Sequence, residues 1–422
     1  MNKTLILTCL LSLVNVLATL AQNKEDSLKK VTIGLNSEFS YKMLEPNEDL
    51  RKVNIFISER EKGNINSGSV IIGSSLIALG DYQVSNTDSK FGYLMRHPTA
   101  NNQIGTEVSE AVLHSFQLSI AGTINNWLAA YSELLYNPQQ SFGTGLITYL
   151  ERNQIQLRKG FILIGDLNKF PVYGAIGKMD APFGQMGTVS PFTNSTIWHA
   201  FGGLGYGAQV GFKKWGLHTT VMAVQGGAQF RAMNTPVGDS TNIPSKLNNF
   251  VVDVNYTVNL GSNNRFIFGG SYLHGSAYCH EFPVFHFDPC YENNPACGKL
   301  LLNDRITIKG GFAKTLNLWP GTHNPAPPLD IYAASKVSSK DIGVKYTFNS
   351  NSEIKHSISA EFSDFVAGPS GAPWERQNQI VIGYSVMIKK SSKLFLELFR
   401  TDGYVPLNWI SGSNPFAPFP PG

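Results

Sequence analysis

Apolar residues recur at every second position in one segment after another of this 422-residue chain. That period belongs to strands whose two faces meet different surroundings. In the cleanest case Phe250, Val252, Val254, Tyr256 and Val258 oppose Asp253, Asn255, Thr257 and Asn259. Phe116, Leu118 and Ile120 likewise oppose Ser115, Gln117 and Ser119. Around residues 153–184 two such runs flank the tight polar turn Asp166–Lys169. In the first, Ile155, Leu157, Phe161 and Leu163 are expected on one face, and Gln154, Gln156, Arg158 and Gly160 on the other. In the second, Val172, Gly174 and Ile176 alternate with Tyr173, Ala175 and Gly177. Pro171 opens that run, where a missing N–H costs least.

The connections between these runs also alternate, a short turn on one side and a long loop on the other. One long polar loop is expected from Leu79 to about Ala111, another over Ala181–Phe201, and a Pro-rich one over Trp319–Lys340. About fifteen strands are legible between Ser69 and Tyr404. Charged residues make up 15% of the chain, against about 25% in ordinary soluble domains. Beyond the N-terminus no apolar run reaches the ~18 residues a spanning helix needs. Alternation, loop asymmetry and 40 glycines with 26 Phe and 16 Tyr together predict an all-β fold: a transmembrane antiparallel β-barrel of about 16 strands over residues 68–422, with apolar residues toward lipid and polar ones toward a wet lumen. Tyr136, Tyr256, Phe312, Tyr346 and Phe362 fit interfacial girdles.

The ends carry their own expectations. Lys3, the apolar run Leu5–Leu17 and Thr19-Leu20-Ala21 read as a cleaved signal peptide over residues 1–21, for export to a bacterial outer membrane. Residues 22–67 read as a periplasmic or plug segment, in which Val31–Met43 alternates weakly and could instead be a strand. Leu394–Leu398 would run outward, and the last eight residues hold four prolines, which cannot form a closing strand. One return strand is therefore expected to be missing at the C-terminus.

The candidate lumen residues are Arg158, Arg305, Lys309, Lys345 and Lys355, opposed by Asp253 and Glu361. Their excess is positive, and a low-dielectric wall focuses the field of a few charges onto anionic solutes. The plainer alternative is that these side chains only solvate the pore and brace its wall. Cys279, Cys290 and Cys297 share one predicted external loop with His274, His280 and His286. Thiolate and imidazole could hold a metal, but the spacing fits no zinc signature. An oxidising compartment favours one loop-pinning disulfide with a thiol left over. No metal and no cofactor are assigned. With 34 basic against 30 acidic side chains, nothing calls for nucleic acid. There is no GxSxG, HExxH or phosphate-cradling glycine loop, so no enzyme is read. His356, on the apolar face near a turn, fits a headgroup-level anchor. The partners expected are outer-membrane lipid and a small anionic solute. A general diffusion porin and a barrel that only displays external loops stay open as alternatives.

Gly165-Asp166-Leu167-Asn168-Lys169-Phe170-Pro171-Val172-Tyr173, Ile176-Gly177, Ala181-Pro182-Phe183-Gly184 and Val189-Ser190-Pro191-Phe192-Thr193 resemble the siderophore porins of the LbtU type. So do Trp319–Pro325 and Thr401–Asn408. The resemblance covers most of the chain from about residue 110 and rests on turn and loop motifs. It implies an outer-membrane barrel of about sixteen strands that takes up a ferric siderophore without an energy-coupled plug. The length agrees, since an energy-coupled receptor needs about 22 strands and a larger plug.

Overall fold

The computed structural model describes residues 32–90, 104–136, 155–224, 247, 249–261, 263–274, 296–302, 305–318, 322–324, 327–349 and 353–403. Strands β1 (Thr32–Leu35), β2 (Ser69–Lys90), β3 (Ile104–Thr123), β4 (Leu128–Tyr136), β5 (Ile155–Ile164), β6 (Val172–Asp180), β7 (Leu204–Lys214) and β8 (Leu217–Val224) come first. They are followed by β9 (Asn249–Asn259), β10 (Arg265–Leu273), β11 (Ala296–Leu302), β12 (Ile306–Lys314), β13 (Ser338–Asn349), β14 (Ile354–Val366), β15 (Arg376–Ile388) and β16 (Ser392–Gly403). Among the described residues three α-helices accompany them: α1 (Ser37–Leu44), α2 (Lys52–Glu61) and α3 (Thr196–Phe201).

All sixteen strands belong to one sheet in sequence order. From β2 to β16 each pairs antiparallel with the next, while the four residues of β1 lie parallel to the start of β2. Among the described residues no ladder joins β16 to β1 or β2. The outward face is apolar: Leu394, Leu396 and Leu398 of β16 are 65%, 65% and 68% exposed. Beside them stand Ile380, Ile382 and Tyr384 of β15 and Ile358 and Phe362 of β14, also exposed. Such rows suit hydrocarbon, not water. The inward face buries Gln117, Glu133, Lys159, Lys178, Gln209, Asp253, Lys309 and Glu361. The fold is a transmembrane β-barrel. On its outer face His356 stacks on Phe348 and bonds Tyr384 Oη through Nδ1 at 2.7 Å, an aromatic band next to the short β13–β14 turn.

Three expectations are corrected. Arg158 forms a β-bulge: Glu133 pairs with Lys159 and Leu134 with Leu157, so the β4–β5 register skips Arg158. A bulge adds one residue and reverses the alternation beyond it. Ile155 and Leu157 face outward, but Phe161 and Leu163 are buried inside while Ile162 and Ile164 take the lipid side. Next, residues 79–90 and 104–111 of the loop expected from Leu79 to Ala111 instead extend β2 and β3 as a paired ladder. β2 has 22 residues, which at about 3.3 Å each outrun the ~30 Å of hydrocarbon. Its outer part is paired by polar residues that alternation of apolar ones does not reveal. Finally, Val31–Met43 is not one strand. The chain breaks at Asn36, whose Oδ1 accepts the N–H of Phe39 at 3.0 Å and caps α1.

Candidate functional site: a basic cavity inside the barrel

Residues 36–67 lie within the barrel. Phe39, Met43, Val53, Phe56 and Ile57, spaced as helical faces, form one buried cluster with Tyr131, Phe161, Leu163 and Tyr173 of β4–β6. The Phe56 ring meets Tyr131 and Phe161 edge-on at 6.4 and 6.5 Å. The Tyr173 hydroxyl donates to Asn54 Oδ1 at 3.1 Å. Gly73 of β2 lets α1 approach, because a Cβ there would collide with Ser40. The other side of the segment meets the wall through charge. Arg51 pairs with Asp253 of β9, Glu48 with Lys345 of β13 at 3.1 Å, and Glu45 with Lys393 of β16 at 3.2 Å.

The turn between α1 and α2 is closed by Lys52, whose ammonium donates to the carbonyls of Lys42, Glu45 and Asp49 at 2.8, 2.7 and 2.6 Å. Burial, helped by the charge of Lys159, pushes Lys52 down to about 8. Burial pushes the Glu48 carboxyl up, but the charges of Lys345 and Lys393 outweigh it and hold the group down at about 2.

The loop between β6 and β7 also folds inward. Thr188 Oγ1 and the Val189 N–H donate to Glu361 Oε2 at 2.6 and 2.9 Å. The N–H groups of Phe192 and Thr193 donate to Glu397 Oε1 of β16 at 2.6 and 3.1 Å. The Phe192 ring stacks on Phe395 of β16 at 5.4 Å and meets His114 of β3 edge-on at 5.2 Å, linking the two ends of the sheet from within. Asn47 Nδ2 donates to the Phe192 carbonyl at 2.7 Å, joining loop and N-terminal segment.

Between the segment, this loop and the wall remains a cavity of about 710 Å³, within the size range of small-molecule sites. Nine Lys and Arg line it against five Asp and Glu. The sequence-predicted residues divide cleanly. Lys309, Lys345 and Arg158 line the cavity. Arg158 also bridges Glu133 at 3.2 Å and Lys309 bridges Asp341 at 2.7 Å, so both brace the wall. Asp253 and Glu361 face inward, but each is engaged by an inserted segment, which takes these acids out of the free lumen charge. Arg305 is exposed in the short turn before β12, and Lys355 is exposed next to the β13–β14 turn, so neither lines the cavity. Cys279 and Cys290 lie outside the described residues. Cys297 opposes Gly269 and Gly311 within β11, and its side chain is outside them too.

Arg51, Glu48, Arg265 and Lys299 also line the cavity, and sequence reasoning missed them. For Arg51 the available signal was the helical spacing of Val53, Phe56 and Ile57 just beyond it. Lys299 heads Leu300-Leu301-Leu302, where nothing alternates to give its face.

No family model matches the chain. No curated protein matches it either. The barrel is similar in build to solved outer-membrane channels. OprB of Pseudomonas putida is 8% identical, with a TM-score of 0.48 over 84% of this chain and 94% of that one. The channel DcaP of Acinetobacter baumannii is 10% identical, with a TM-score of 0.43 over 81% of this chain and 99% of that one. An anion-selective porin from Comamonas acidovorans is 12% identical, with a TM-score of 0.42 over 78% of this chain and 90% of that one. At this level of likeness the strand ladders of the chain itself carry the fold assignment.

Proposed function

We propose that the chain is a bacterial outer-membrane channel that takes up a small anionic solute, with a ferric siderophore as the solute class its turn and loop motifs imply. The observation that carries this reading is the charge of the cavity, nine basic side chains against five acidic ones. The inserted segments strengthen the bias, because Arg51, Thr188 and Val189 neutralise or occupy the acids Asp253 and Glu361. A field focused by low-dielectric walls draws anions to such a path. Passage of a siderophore-sized solute requires residues 36–67 to move aside.

The test is the reversal potential of the folded, full-length chain in a planar bilayer under a salt gradient. Anion selectivity with a saturable block by a ferric siderophore is expected. Conductance without saturation would make it a general diffusion porin. A silent barrel would make it a scaffold for its external loops. Labelled-iron uptake in a deletion strain then tests the siderophore itself.

A further inference from the structure

Arg265, Lys299, Lys309 and Lys345 come from four consecutive strands, β10 to β13, and fall in two adjacent rows of the inner wall. Lys299 stands directly opposite Lys309. In the row nearer the short turns, Arg265 faces Leu301, Leu301 faces Thr307, and Thr307 faces Lys345. With strands about 4.8 Å apart, the row from Arg265 to Lys345 spans roughly 15 Å. Directly opposed residues have Cβ atoms about 4.5–5.5 Å apart, and like charges so placed repel. Acids answer only part of this charge. Lys309 has Asp341 at 2.7 Å and Lys345 has Glu48 at 3.1 Å. Among the described residues neither Lys299 nor Arg265 has an ion pair, Asp49 and Glu48 acting on Lys299 only at longer range, and both bases line the cavity. The Glu48 contact is the exchangeable one, with side chains 41% and 19% exposed.

We propose that this patch binds a compact oxyanion carrying two or more negative charges, and that Glu48 is its internal competitor. The proposal rests on the reading of the interior as an anion path. Arg265 offers a planar fork, and Lys299 and Lys309 offer two converging ammonium groups. Each makes its strongest contacts to carboxylate or phosphate oxygens. An oxyanion on Lys299 and Lys309 relieves their mutual repulsion. Extending to Lys345, it displaces Glu48 and releases one of the ionic ties that hold residues 36–67 against the wall. By linkage, the docked segment weakens oxyanion binding by the same factor by which a bound oxyanion weakens docking.

The test is calorimetric titration of the folded full-length chain with citrate and, separately, with inorganic phosphate, with chloride as the monovalent control. Saturable binding of citrate or phosphate, with none of chloride at the same concentration, is expected. Lys299→Met should weaken binding about tenfold, the loss of one charge-assisted contact. Glu48→Gln should tighten it severalfold, and Lys355→Met, off the patch, should leave it unchanged. Where Lys299→Met gives no heat-modifiable folded band, Arg265→Gln replaces it with the same expected loss. Wild-type affinity in the folded patch variant, or no gain in Glu48→Gln, overturns the proposal. An anion-selective channel that binds neither probe would sink this site and leave the channel standing. Binding by a barrel that conducts nothing would do the reverse.

Discussion

The two halves of the barrel wall hold the same inserted segment by different means. On the β3–β6 side Phe39, Val53, Phe56 and Ile57 pack against Ala121, Tyr131, Phe161, Leu163 and Tyr173 in a dry cluster. On the β9–β16 side the contacts are ion pairs, Arg51 with Asp253, Glu48 with Lys345 and Glu45 with Lys393, and the cavity lies beside them. Apolar burial is not screened by salt and does not answer to a solute's charge. Ion pairs beside a cavity can be exchanged for pairs with a solute or with salt ions. Any opening is therefore expected to start on the ionic side and to hinge on the apolar one.

The largest expected effect tests the hinge. Phe56 is fully buried, and Phe56→Ala should cost about 3–5 kcal/mol in contacts and cavity. The cost should fall on the segment and not on the ladders. Limited proteolysis is expected to cut residues 36–67 far faster, while the barrel keeps its heat-modifiable mobility. An equally protected segment would mean that the apolar side is not what holds it.

A smaller effect is expected on the ionic side. Lys393→Met leaves the Glu45 carboxylate, whose side chain is 5% exposed, without its cation, a penalty of about 1–3 kcal/mol or somewhat more for a charge. Adding Glu45→Gln should recover part of it, since no buried charge then stands alone. The readout is the frequency of full-conductance openings in a planar bilayer. They should rise in Lys393→Met and fall back in the double variant. Failure of the second change to reverse the first would mean that Lys393 acts on the loop at Pro191, whose carbonyl it also contacts at 2.9 Å, and not on the segment.

The strands were legible because each face answers to a different solvent. Phe250 to Asn259 could be assigned residue by residue, and the exposed Val254 and buried Asp253 stand where alternation puts them. Phe161 and Leu163 were misplaced because one bulged residue, Arg158, reverses the period, and a bulge leaves no mark in a count of apolar residues. Residues 36–61 were not legible as helices: weak alternation masked the cap at Asn36, and Phe39, Met43, Val53, Phe56 and Ile57 show as helical spacing only once the helices are known. What no local pattern shows is that Gly184 to Thr196 turns into the lumen. That depends on Glu361 and Glu397, more than 160 residues further on, and on Gly343, where a Cβ would strike Val189. Arg265 and Lys299 become a cavity patch only through the register of four strands.

Raising the salt should separate the two sides in wild-type protein. Between 0.1 and 1 M the screening length falls from about 10 to about 3 Å. The half-exposed Glu48–Lys345 pair should lose most of its contribution of about 0.2–1 kcal/mol. Proteolysis of residues 36–67 should quicken by a few-fold at most. The extra susceptibility caused by Phe56→Ala should be the same at both salt concentrations. A salt-dependent Phe56→Ala effect would mean that the two sides open together.

The smallest expected effect is a pH dependence with a defined sign. Glu48 is held at about 2 in the folded chain, below its ordinary value of 4.5. A carboxyl depressed in this way favours the docked segment fully above 4.5, and that preference is lost as the pH falls through about 2. Docking of residues 36–67 should therefore weaken progressively from pH 4.5 downward, followed by proteolysis with an acid-active protease or by channel openings. Glu48→Gln should remove that part of the slope and leave a flatter profile, since glutamine does not titrate. The same substitution at Glu38, a half-exposed rim residue tied to Lys42 and Lys390, should change the profile less, because screening weakens an exposed pair. Should Glu48→Gln and wild type lose the segment along the same curve, the acid-labile tie is a different carboxylate. Glu45 against Lys393 is then the next to replace, and the exchangeable contact shifts from β13 to β16.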